Sequence, residues 1–108
     1  MSRISKKMKR PLMSEYTSML VENLLRNYYT LQQHPDSTFS SYKIDLENSL
    51  KTLKRQNKVL YFTVVNVFAN GMPTQTLAYN EGVSTRQVNR RLHDGLHTLT
   101  MIMNGEIL

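Results

Sequence analysis

Apolar side chains recur every three or four residues through most of this chain, the rhythm of helices that each bury one face. Over residues 12–33 the steps are Met13, Tyr16, Leu20, Leu24, Tyr28 and Leu31, with Met19, Val21 and Leu25 widening the stripe. That width predicts a helix that buries more than one face or meets a second subunit. Pro11 suits its opening, and Pro35 closes it by pushing His34 out of the α region. Tyr28 and Tyr29 read as one core and one boundary tyrosine. Phe39, Tyr42, Leu46, Leu50 and Leu53 predict a second amphipathic helix over about 40–53, with Asp45 and Glu47 off the stripe as solvated positions.

Residues 54–69 pull two ways. The run FTVVNVF scores as a strand by propensity, yet Leu60, Val64, Val67 and Phe68 also keep a helical step. A helix is the consistent reading, since a lone strand would lack a pairing partner and Asn70 with Gly71 makes a good helix terminus. The chain then resets at Met72, Pro73 and Thr74. Thr74 is expected to cap a short helix over 75–79, and a turn over 80–83 leads into a long helix from Ser84. The long stripe is Val88, Leu92, Leu96, Leu99 and Met103, ending at Asn104 and Gly105. Gly95 within it lowers helix propensity by about 1 kcal/mol and marks a place where another helix comes close.

This last region, residues 74–92, has the spacing of a helix-turn-helix. Ala78 is small enough for a close helix crossing. Gly82 supplies the positive φ of the turn, Val83 plugs the corner, and Ser84 caps the next helix. Val88 and Leu92 face inward. Thr85, Arg86, Asn89, Arg90 and His93 remain outside, and these are side chains that meet phosphates and base edges. Arg91 lies beside Val88, as a phosphate clamp or as the partner of an acid within the chain. Thr74 and Gln75 are placed to meet a phosphate through backbone N–H groups.

Charge strengthens this reading. The 108 residues carry a formal net charge of +6, and Arg3, Lys6, Lys7, Lys9 and Arg10 put +5 of it in the first ten. A basic arm on a nearly neutral body suits phosphate tracking, and it also suits an ordinary solubilising terminus. With no cysteine there is no disulfide or thiolate metal site. His93 and His97 stand four apart but have only Asp94 close by, which makes a poor metal site. No phosphate loop, nucleophile elbow or paired carboxylates suggest an enzyme. No apolar run is long enough for a membrane span or a signal peptide, so the expectation is a soluble, cytoplasmic protein without cofactor.

Leu53-Lys54-Arg55-Gln56, then Val59-Leu60, Gly71 and LAYNEGVSTRQVNRRLHDGLHTL, together resemble the DNA-binding fourth region of bacterial sigma factors. Size and layout are similar to the small sigma-like regulators of prophages and mobile elements, the ArpU- and RinA-type late-gene activators among them. The resemblance covers about residues 50–100. It implies an all-α fold of about five helices and contacts to operator or promoter from Thr85, Arg86, Gln87, Asn89 and Arg90. The chain departs from the pattern at Thr76, where the family carries an acid, and at Leu77, where it carries isoleucine. The first 49 residues are too few for the promoter-melting region of a full sigma factor.

The expectation is therefore a basic arm (1–11), a helical dimerisation or partner-binding region (12–50) and a helix-turn-helix region (51–108). The candidate DNA-facing set is Thr74, Gln75, Ser84, Thr85, Arg86, Gln87, Asn89, Arg90, Arg91 and His93, with Lys6, Lys7, Lys9 and Arg10 of the arm. The expected partners are double-stranded DNA, a second copy of the chain and RNA polymerase. The competing reading is a protein-interaction module that binds a polymerase, a sigma factor or a phage protein without touching DNA.

Overall fold

The computed structural model describes residues 16–33 and 37–106, and every regular element among them is helical. In chain order these are α1 (Ser18–Arg26), α2 (Tyr28–Gln33), α3 (Ser37–Gln56), α4 (Lys58–Val64), a π-helical turn (Val65–Ala69), α5 (Thr74–Glu81) and α6 (Thr85–Met103). The all-α expectation holds. The basic arm, with Lys6, Lys7, Lys9 and Arg10, lies outside the described residues, as do residues 12–15.

Asparagines set the helix boundaries that apolar spacing did not reveal. The single helix expected over 12–33 is interrupted at Asn27. Its backbone N–H and its side-chain amide both donate to the Asn23 carbonyl, at 3.1 and 2.7 Å. This local side-chain bond competes with continuation of the helix. Upstream, Thr17 caps α1 by accepting from the Leu20 N–H. α3 begins at Ser37 rather than 40 and runs past Leu53 to Gln56. The break comes at Asn57, in extended conformation, whose side chain caps α4 by accepting from the Leu60 N–H. The line drawn between residues 50 and 51 thus falls inside α3.

The β-branched run is helical, as the lack of a pairing strand and the Asn70-Gly71 terminus led us to expect. Thr63 is almost fully buried, and its hydroxyl donates to the Val59 carbonyl at 2.7 Å, so the helix satisfies the one polar group that burial would strand. Burial of Thr63, Val64 and Phe68 outweighs their strand propensity. The last turn widens to a π-helix, with the Asn70 N–H bonding the Val65 carbonyl at 2.9 Å.

A single core draws on both halves of the chain: Val21 and Leu25 of α1, Leu46 and Leu53 of α3, Val64 of α4, and Val88 and Leu99 of α6 are all fully buried. Asp45 and Glu47 correct the expectation of merely solvated positions. The hydroxyl of buried Tyr16 donates to Asp45 at 2.6 Å, and that of Tyr28 donates to Glu47 at 2.9 Å. Tyrosines whose rings enter a core need an acceptor at its edge, and α3 supplies both. Tyr28 packs against the core while Tyr29 is exposed, the division expected for the pair.

Asn104 closes the bundle. Its side-chain carbonyl accepts from the Tyr16 N–H at 2.8 Å and its amide donates to the Tyr16 carbonyl at 2.9 Å. These two bonds tie the end of α6 to the start of α1. Asn104→Ala removes both, with an expected cost of about 1–3 kcal/mol. The measurement is a lower urea midpoint at unchanged slope.

Candidate nucleic-acid interface

Local chemistry builds the helix-turn-helix residue by residue. Leu77 and Ala78 are the buried positions of α5, and Ala78 allows α6 to pack closely behind it. α5 continues past Tyr79 to Glu81. It stops at Gly82, whose φ of 69° is the left-handed conformation that glycine adopts without steric cost. The Val83 N–H then bonds the Ala78 carbonyl at 3.0 Å, holding half-buried Val83 in the corner. Ser84 is the N-cap of α6, its hydroxyl accepting from the Gln87 N–H at 3.0 Å. One detail differs from expectation. Pro73 occupies the cap position of α5 and Thr74 is its first helical residue, because proline already fixes the φ that the entry needs.

α6 has a buried face of Val88, Leu92, Gly95, Leu99 and Met103. A step of 100° per residue turns Arg86, Arg90 and His93 away from that face and leaves Asn89 at its edge. These four side chains are exposed and lie at i, i+3, i+4 and i+7, forming one outward stripe; no acid occurs between Ser84 and His93, and the exposed Asp94 adjoins its far end. Gln87 is exposed on the flank, and Thr85 is half-buried at the first turn. Gln75 is exposed and Thr74 half-buried at the start of α5. The stripe has a firm backing: a Cβ on Gly95 would meet Val64 Cγ1 at 2.7 Å and the Leu60 carbonyl oxygen at 3.3 Å. The close helix approach expected at Gly95 is therefore present, and its partner is α4.

Not every candidate side chain stands free in this stripe. Arg91 takes the intramolecular option, pairing with Glu81 at 2.9 Å across the turn between α5 and α6. Such a half-exposed pair contributes about 0–1 kcal/mol, but it orients the guanidinium toward the protein's own acid. The Ser84 hydroxyl is committed to its cap. His93 is exposed, with Nδ1 3.6 Å from Asp94. Among the described residues no three His, Cys, Asp or Glu side chains gather as a metal site, and no helix is long and apolar enough to cross a membrane.

The structure adds two features to the site. Glu81 had no assigned role, and only the fold brings it to Arg91 across ten positions. Tyr79 is 87% exposed, the most exposed large apolar side chain among the described residues. It follows Gln75 by four residues and so shares the outer face of α5. That spacing off the buried Leu77 and Ala78 was visible in the sequence. Comparisons with protein-family models, curated proteins and solved structures gave no match to this chain.

Proposed function

We propose that this protein is a sequence-specific DNA-binding transcriptional regulator that reads a major groove with α6. The observation that carries the reading is the outward stripe Arg86, Asn89, Arg90 and His93, on a helix whose other face is locked into the core behind a glycine turn. Arginine pairs bidentately with guanine and asparagine with adenine, each good pair giving about 1–3 kcal/mol of discrimination. Thr85 and Gln87 flank these contacts. Thr74 and Gln75 at the start of α5 meet the phosphate backbone, and Lys6, Lys7, Lys9 and Arg10 of the arm add further phosphate contacts. The resemblance to sigma region four supports the same assignment and suggests prophage or mobile-element genes as targets, with RNA polymerase as a neighbour on the promoter.

The regulator acts as a homodimer in this proposal. Two recognition helices then enter successive major grooves, which requires half-sites about 34 Å apart or a multiple of that distance. Occupancy near a promoter regulates by placement. A labelled duplex titrated at rising salt tests the electrostatic part. Affinity falls steeply with salt, and removing residues 1–10 flattens the slope by about 0.9 for each lost phosphate contact while the preferred sequence stays the same. An unchanged slope means that the arm makes no phosphate contacts.

A further inference from the structure

We infer that the corner where α3 meets α4 is a docking surface for an acidic segment of a second protein that carries large apolar side chains. This surface is built from residues of α3 and α4 and not from the α6 stripe, and it does not depend on the DNA reading. Lys51, Lys54, Arg55 and Lys58 are all exposed at the end of α3 and the start of α4. No acid occurs in the sequence between Glu47 and Glu81, so no carboxylate from this stretch neutralises them. Beside them Val59 is 50% and Phe62 45% exposed, three residues apart on one face of α4. Lys54 joins the two sets, its ammonium lying 5.4 Å from the Tyr61 ring centroid and 5.9 Å from that of Phe62.

The combination decides the chemistry of the partner. Duplex DNA offers phosphates to the cations but no apolar face to cover Val59 and Phe62. Single-stranded nucleic acid would stack its bases on exposed ring faces. Here Lys54 already lies over both rings, and Val59 is no stacking platform. An acidic segment with leucine- or phenylalanine-like anchors satisfies both halves: carboxylates meet the lysines, and apolar side chains remove Val59 and Phe62 from water.

The test is an amide-resolved NMR titration of the full isotope-labelled chain with three probes. The first is a synthetic peptide of glutamates interspersed with leucine and phenylalanine. The second has the same charge with serine in place of each apolar residue, and the third is a single-stranded oligonucleotide. The expected result is saturable shifts confined to the end of α3 and to α4 with the first peptide, and at least tenfold weaker binding of the second. Phe62→Ser and Lys54→Glu each weaken the first peptide by about tenfold, equivalent to 1.4 kcal/mol. Both positions are exposed, and circular dichroism verifies that the helices persist. The inference is overturned by equal binding of the serine peptide, by tighter binding of the oligonucleotide at this corner, by shifts centred on α5 and α6, or by no saturable shift at all.

Discussion

Gly95→Leu is expected to destabilise the fold by about 3 kcal/mol and to take α6 out of register with its support. Any Cβ at this position begins 2.7 Å from Val64 Cγ1 and 3.3 Å from the Leu60 carbonyl oxygen. Val64 is β-branched and fully buried, which restricts its χ1, and the carbonyl belongs to a helix backbone. Replacing glycine within a helix gains about 1 kcal/mol of propensity, which offsets only part of the overpacking. Gly95→Ala should therefore cost less, about 1 kcal/mol net. Combining it with Val64→Ala should cost less than the sum of the two, because the new methyl occupies the space that Val64 vacates. Urea denaturation of the single and double variants measures this coupling. Strict additivity would mean that α4 and α6 do not meet tightly at this point.

Much of the helix-turn-helix was legible in the sequence because its determinants are local. Gly82, Ser84, Val88 and Leu92 each answer a need of the few residues around them, and the structure meets those needs within the same few residues. Gly95 was legible for a related reason, since a glycine inside a long stripe is unfavourable unless something comes close. The helix breaks were harder. Asn27 and Asn57 end or begin helices through side-chain bonds to backbone groups, and asparagine in a sequence does not announce which bond it makes. The roles of Asp45, Glu47 and Asn104 were not legible at all, and the acid partner expected for Arg91 could not be identified as Glu81. Each depends on a partner that only the tertiary fold brings near, Tyr16 lying 88 positions from Asn104.

Arg86→Ala combined with Arg90→Ala is expected to weaken specific DNA binding by about thirtyfold or more, on the order of 1–3 kcal/mol for each lost base contact. Both side chains are exposed and neither is paired within the described protein in the way Arg91 is paired to Glu81. Stability should stay within about 0.5 kcal/mol of the original, as surface substitutions usually do. Arg91→Ala is the internal comparison. It removes a charge from the same helix but one oriented toward Glu81, so its effect on DNA affinity should be smaller than that of Arg86→Ala or Arg90→Ala. A folded double variant that retains full affinity would remove α6 from the groove and favour the protein-interaction reading.

The central claim is that α6 reads a DNA sequence. Selection from a random pool of duplex DNA with the purified protein tests it most directly. The account predicts enrichment of one two-fold symmetric site, with half-sites one helical turn apart or a multiple of it, and loss of that enrichment in the Arg86→Ala, Arg90→Ala variant. A pool that emerges from selection without any enriched sequence would contradict it.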